Sequence, residues 1–553
     1  MEQQKRSWKF GKQLLILGVP ILSISACGGD SNNSAQGTMS MTTAVANTSD
    51  SVSSDNATAI GTSASTSAST ATSSDAIVQT QVADLKSASQ LLAAVSTSSL
   101  EKPVPLSNAE GTVLTTTATG TIDLSNAFFQ AFGNGRSCAS CHQESQAWSV
   151  RPDSLQQRFI QTNGTDPIFN VVDGATSPKD AVGTLDQKRI AYSMLLTKGL
   201  IRIGLPIPNG AQFVLAAVND PYNFASASQL SLFRRPLPTT NLKFENTLMW
   251  DGRETFTSSQ SNLCVKGTAP PHCFATPDFD LLHQANGAVI THAQSVSGLS
   301  AAQQRAIVNL EASLFTAQIS STRAGSLTDA GARGGPLALA VNTFYFGIND
   351  INAGDYQTGA TFNQNVMLMY SSWVGLDAPT PGAKGKPPLP PTAVNVLRAS
   401  IARGEQIFNT KPFNISGVAG FNDQLRASLQ RGTCASCHST PAVGTQSVPR
   451  LFNTGVSGAN LRTPDMPLYT LKNSKTGEVV QTTDPGFALT TGQWQDIGRF
   501  KVPALRALAA RGPYFHNGSA ADIPGVIRFY ERRFNVGFTP QEVNDLTEFL
   551  KVL

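Results

Sequence analysis

Apolar residues are distributed along this chain in three ways, and each predicts a different kind of segment. The first is a block: Leu14 to Ile24 is apolar apart from small breaks at Gly18, Pro20 and Ser23, and a basic stretch with Lys5, Arg6, Lys9 and Lys12 precedes it. A run this short cannot span a bilayer stably and has the anatomy of a secretory signal. The second is a near absence: from Gly28 to about Leu100 the chain is Ser, Thr, Ala and Asn with almost no aromatic residue. Such a stretch cannot bury enough apolar area to offset its ordering entropy, so residues 28–105 are expected to form a disordered stalk. The third is helical periodicity. "LSNAFFQAFG" (124–133) and "ASIARGEQIF" (399–408) place apolar residues at intervals of three and four, and both predict amphipathic helices. Near the C-terminus Thr539, Pro540 and Glu542 read as N-cap, first-turn proline and capping-box acid ahead of a stripe of Val543, Leu546, Phe549 and Leu550. Between these regions "DAPTPGAKGKPPLPPTAV" (377–394) is proline-rich and predicts an extended linker, bounded at 381–395. The expected fold is mainly α, with two helical domains at 106–380 and 396–553.

Composition adds limits rather than chemistry. At 553 residues the chain can build two or three cores, and a net charge of +4 with no basic block after the signal gives no reason to expect nucleic acid. The signal ends in Ile24-Ser25-Ala26-Cys27, small residues before a cysteine, which resembles a bacterial lipobox. On that resemblance residues 1–27 are a lipoprotein signal peptide and Cys27 takes the lipid, so the membrane is met through an anchor only.

Seven cysteines sort into Cys27, two close pairs and one loose pair. In an exported chain Cys264 and Cys273 are expected to form a disulfide closing a small loop. The close pairs lie in a repeated word, Cys138-Ala-Ser-Cys141-His142 and Cys434-Ala-Ser-Cys437-His438. Cys-x-x-Cys-His is the attachment signature of c-type haem. Two thiols on one turn can each add to a haem vinyl group, and the following imidazole reaches the iron. A zinc ribbon would need two more cysteines per site, and a thioredoxin-like pair has no use for the histidine. Two covalently bound haem c groups are therefore expected, held by Cys138, Cys141, Cys434 and Cys437, with His142 and His438 as iron ligands.

Longer words place these motifs. Phe500-Lys501-Val502-Pro503-Ala504-Leu505-Arg506, Pro513-Tyr514-Phe515-His516-Asn517-Gly518-Ser519, a helix running to Phe529-Tyr530, and "NTLMWDGRE" (246–254) together resemble the bacterial diheme cytochrome c peroxidase family, and especially its MauG-type branch. The resemblance covers about residues 120–553. It implies that Tyr530, at a position where peroxidases of the family carry a methionine, is the second ligand of the His438 haem. Met466 in "TPDMPLY" is an alternative, because a methionine beside prolines also looks like a ligand loop. Trp250 is implied as the aromatic relay between the haems. Calcium between them stays open, since Arg235 stands where the family has an asparagine.

The resemblance departs most at the far side of the first haem. Gln260 matches the family's distal glutamine, but Pro270 stands where the distal glutamate belongs, and no glutamate occurs between Glu254 and Glu311. After the cysteine loop, Gln284 and Gln294 restore the spacing, and His292 beside them is a candidate acid and base, an axial ligand that closes the iron, or a surface histidine. The catalytic candidates are thus His292, Gln284, Gln294 and Trp250. The function implied is a periplasmic haem peroxidase-type oxidoreductase acting on hydrogen peroxide or oxygen, with a small electron donor or a protein substrate as partner. A diheme electron carrier without catalysis and a rubber-oxygenase-like dioxygenase are the alternatives.

Overall fold

A computed structural model describes residues 100–256, 263–266 and 272–553. The signal, Cys27, almost all of the stalk and Gln260 lie outside these residues. From Leu100 onward the chain is paired, because Leu100–Glu101 lies antiparallel to Ile122–Asp123.

Among the described residues six helices of eleven or more residues form the long elements: α1 (Pro152–Thr162), α2 (Pro277–Thr291), α3 (Ala301–Ser313), α4 (Ala393–Thr410), α5 (Ile523–Phe534) and α6 (Pro540–Lys551). The expectation of a mainly α fold is corrected by what lies between them. Among the described residues fifteen strands make six small sheets, so the fold is mixed. The largest is an antiparallel sheet of four strands in the order Gly325–Ser326, Leu314–Ser321, Gly111–Thr117 and Leu106–Asn108. Gly111–Thr117 alternates strictly between buried and half-buried positions, as a strand with one covered face must. A three-stranded sheet joins Phe213–Asn219 to Leu468–Asn473 and Val479–Thr482 around Phe213, Tyr469 and Leu471. Such strands are short and their partners distant in sequence, which is why their alternation does not stand out along the chain.

The periodic segments fare differently. "ASIARGEQIF" lies inside α4 as expected, and α6 begins with the Thr539–Glu542 capping box. "LSNAFFQAFG" yields only a 3₁₀ turn at Ala127–Phe129, because Asn126 caps it and the chain then leaves for a bridge between Phe132 and Arg136.

Helices α4 and α6 cross closely at Gly404, where a Cβ would come within 2.0 Å of the Asp545 carbonyl oxygen. Asp545 fixes the crossing by accepting from Ser400 Oγ (2.5 Å) and Arg403 Nε (2.9 Å). Their core of Leu397, Ile401, Phe408, Leu546 and Phe549 also contains Met367, Tyr370 and Trp373, which precede the proline-rich segment. That segment folds back on itself, with Thr380 and Leu389 exchanging both main-chain hydrogen bonds, and is not extended. Residues from Leu100 on form one compact unit. No helix of the described residues is long and apolar enough to cross a membrane.

Candidate functional site

Each CASCH word folds into the same local device. Ser137 and Thr433 start 3₁₀ turns at Cys138–Ser140 and Cys434–Ser436, and the Ser140 and Ser436 hydroxyls accept from their main-chain N–H groups, each at 3.0 Å. The His142 and His438 amides then donate to the Cys138 and Cys434 carbonyls, both at 3.0 Å, so each imidazole follows its two thiols on one side of the turn. His142 Nδ1 donates to the Trp148 carbonyl (3.0 Å), and His438 Nδ1 donates to that of Gly444 (2.6 Å). Both bonds fix the tautomer that leaves Nε2 unprotonated. Burial pushes both imidazoles down to about 4, which keeps that lone pair available. The four cysteines form no disulfide, and burial pushes all four thiols up.

The turns face two separate cavities of about 200 and 210 Å³. The first is lined by Cys138, Cys141, His142 and one stripe of α2: Leu281, Gln284, Ala285, Ala288 and His292. The second is lined by Cys434, Cys437, His438 and a stripe of α5: Ile523, Val526, Ile527, Tyr530 and Phe534. Asp522 orients α5 by accepting from the Gly525 amide (2.6 Å). Tyr530 stacks on Phe534 and meets Phe515 and Phe529 edge-on. Burial raises its phenol well above the ordinary range, so its anion would require a cation such as a metal in this cavity.

Trp250 belongs to both cavities. Its Nε1 donates to the Arg235 carbonyl (2.8 Å), and its ring meets the edge of His516, which is itself stacked on Phe500 at 4.0 Å. The following residue anchors the motif: Asp251, wholly buried, pairs with Arg234 (2.5 Å) and Arg253, and Arg234 pairs in turn with Asp484 (2.7 Å). Arg234 and Arg253 hold the Asp251 carboxyl down at about 2 in spite of its burial.

Whether haem suits these cavities can be judged from their donors. Two buried thiols and an open imidazole nitrogen supply the covalent and axial bonds. Arg235 and Arg511 supply the rest, because both guanidinium groups border both cavities and neither pairs with a carboxylate among the described residues. Burial pulls Arg235 down to about 9 and Arg511 to about 10, the condition of cations that lack an anion. A haem carries two carboxylates, so the donor set fits. Arg235 also donates to the Arg511 carbonyl (3.0 Å).

The comparisons agree with the cradles. No family model matches the chain. It is 29% identical over 166 residues to cytochrome-c peroxidase IdrP1 of Denitromonas iodatirespirans, covering 24% of this chain and 42% of that protein. It is 32% identical over 134 residues to cytochrome c551 peroxidase of Nitrosomonas europaea, covering 24% and 34%. With cytochrome c peroxidase Ccp of Escherichia coli it shares 30% identity over 145 residues, covering 25% and 27%. These relatives are all cytochrome c peroxidases, and the likeness supports the resemblance to the bacterial diheme cytochrome c peroxidase family. The matched stretches span less than half the length of each of these relatives.

Against that family background the far walls are the informative part. His292 caps the end of α2 and lines the first cavity, where its Nδ1 donates to Asp173 (2.5 Å). Arg136 clamps the pair, donating to Asp173 (2.6 Å) and to the His292 carbonyl (3.1 Å). Burial opposes charge on Asp173, but the hydrogen bonds from His292 and Arg136 hold its carboxyl below the usual range. Gln284 lines this cavity as expected. Gln294 does not: α2 ends at Thr291, the backbone turns left-handed at Gln294, and its exposed side chain accepts from Asn134. Met466 is likewise absent from the second cavity and packs with Met194, Leu200 and Phe233. Cys264 and Cys273 are bonded across the hairpin of Leu263–Val265 and His272–Phe274.

Sequence reasoning missed Asp173, Arg136 and Glu311. Glu311, on α3, lines the first cavity and is 3% exposed. Among the described residues its Oε2 makes no hydrogen bond. Burial pushes its carboxyl up to about 8. An acidic residue on the buried stripe of a helix is the signal that would have found it.

Proposed function

We propose that the protein is a periplasmic diheme c-type oxidoreductase, tethered by Cys27, that reduces hydrogen peroxide in the His142 cavity. Electrons enter from a small donor protein through the His438 site and Trp250. One observation carries this reading: two cavities share the same thiol and imidazole cradle, while one is faced by Tyr530 and the other by the Asp173–His292 pair. Haem bound in these cradles supplies one-electron chemistry and an iron able to take a small oxygen ligand.

The chain's own residues do the remaining work. The Trp148 and Gly444 carbonyls hold His142 and His438 in the tautomer that presents Nε2 to iron. Arg235 and Arg511 neutralise carboxylates between the two sites. Tyr530 closes the second cavity, the feature that makes the MauG-type branch the nearer comparison. In the first cavity Asp173 fixes the Nδ1 proton of His292, so Nε2 is the nitrogen that can accept a proton from peroxide. Gln284 can donate a hydrogen bond there but cannot exchange a proton.

The same Asp173–His292 bond favours a second reading. Ligating imidazoles commonly donate their other N–H to a carboxylate, so His292 would close the first iron and leave a pure electron carrier. Electron paramagnetic resonance of the ferric protein, with Tyr530→Phe alongside, tests both. The expected result is one high-spin signal that responds to peroxide and a second signal altered only by Tyr530→Phe. Absence of any high-spin component sinks the peroxidase reading in favour of the carrier.

A further inference from the structure

The surfaces beside the two CASCH turns differ in charge. At the first, residues 125–135 and 287–304 contain no lysine, arginine, aspartate or glutamate. Asn134 joins these segments, its amide donating to the Ala293 carbonyl (2.8 Å) and its Nδ2 to that of His292 (2.9 Å). At the second, the strand Leu429–Gly432 runs into Cys434 and pairs with Phe413–Ser416. Phe413 and Ile415 line the cavity, so the alternate positions, Asn414 and Ser416 with Arg431 and Leu429 opposite them, face solvent. Helix α5 lies against this hairpin: Arg533 donates to the Ser416 (3.2 Å) and Gly417 (3.1 Å) carbonyls, and to that of Thr454 (3.1 Å), which lines the cavity. Exposed Arg426, Arg431 and Arg532 pair with no carboxylate among the described residues. Nearby acids are engaged: Asp423 with Arg499, Glu542 with Lys411, and Glu531 with the Gly537 and Phe538 amides. Arg426, Arg431, Arg532 and Arg533 thus outweigh Glu531. The charge also lies close to the cavity, since Arg431 stands three residues before Cys434 and Arg532 two after Tyr530. Among residues 411–433 Leu429 is the one large apolar side chain left exposed, at 56%. That is too little apolar area to enter a bilayer, but an apolar point within a charged rim suits a transient protein contact.

We infer that this arginine face docks an acidic electron-donor protein, an inference that rests on the reading that electrons enter at the His438 site. The cations attract and orient a partner whose own redox edge is ringed by carboxylates, and Leu429 fills the centre of the contact. Each encounter passes one electron: the donor is oxidised and the His438 site reduced. Two encounters supply the two electrons that, with two protons, turn one peroxide into two waters. The uncharged surface at the first turn has no such preference, as befits a site for a small neutral molecule.

The test uses two forms of one probe, a basic mitochondrial cytochrome c and the same protein made acidic by succinylating its lysines. Hydrogen-exchange mass spectrometry of the haem-loaded protein is expected to show residues 411–417 and 426–433 protected by the acidic form and not by the basic one. Its affinity should fall about tenfold or more as salt rises from about 0.01 to 0.15 M and the Debye length shrinks from about 30 to 8 Å. Arg431→Glu with Arg532→Glu should abolish the protection. Lys472→Glu with Lys475→Glu makes the same change in net charge at exposed residues that border neither cavity, and should retain it. Protection elsewhere, tighter binding of the basic form, or equal loss in both double variants overturns the proposal. Phosphatidylglycerol vesicles that protect this face when the acidic cytochrome does not overturn it in favour of a lipid surface. Peroxide is then added with the acidic probe in its ferrous form. Protection of this face without oxidation of the probe overturns the electron-entry reading and leaves the acidic-protein surface standing.

Discussion

The two cavities begin alike and end differently. Their CASCH turns share a capping serine, a pair of thiols and an imidazole tied to a carbonyl six residues on. Beyond shared residues such as Trp250, Arg235 and Arg511 the walls differ: aromatic rings around Tyr530 on α5 line one cavity, and Asp173 and His292 from two separate segments line the other. A short word can make two cradles identical because every bond in it is local. Character is then assigned by elements that reach the cavity from far along the chain.

The largest expected effect tests the likeness. Replacing Cys138 and Cys141 by alanine removes one haem mass, and replacing Cys434 and Cys437 removes the other. Intact-mass spectrometry should show the two double variants losing equal increments, and a single variant that loses both, or neither, would break the symmetry of the cradles.

The next effect tests the difference. Asp173→Asn keeps the shape but removes the negative acceptor that orients His292, and the peroxide rate should fall about 10–100-fold. The ferric signal assigned to the Tyr530 side should not move. A rate loss accompanied by a change in that signal would mean that the variant disturbs the whole unit and that the walls do not act separately.

The smallest effect concerns a buried acid outside both cavities. Burial, only partly offset by the Met369 and Tyr370 amides, raises Glu405 to about 7. Its folded state therefore holds a proton that the unfolded chain gives up near 4.5, and stability should fall as pH rises from about 4.5 to 7, then level. Glu405→Gln should flatten that slope in thermal melts by a few degrees at most, with no change in peroxide rate, because Glu405 borders neither cavity.

Legibility follows the same division. The CASCH words, α4 and the capping box of α6 were readable because their determinants lie within a few residues. "LSNAFFQAFG" misled because three-and-four spacing does not tell a long helix from one 3₁₀ turn followed by a bridge. Gln294 misled because its spacing from Gln284 has meaning only if α2 continues, and α2 stops at Thr291. Asp173 could not be found at all: it reaches His292 only after the loop holding it and the end of α2 have packed around Arg136.

The sheet that pairs Phe213–Asn219 with Leu468–Asn473 has a consequence for how the molecule is made. A contact between segments so distant in sequence closes late, because the loop between them must be ordered first. Arg234 meets Asp484 across the same distance, and both cavities are lined from both halves of the chain, so their walls are completed only when the second half has docked. The four cysteines line those cavities, so a bulky group joined to their sulfurs is expected to be in place before the two halves close.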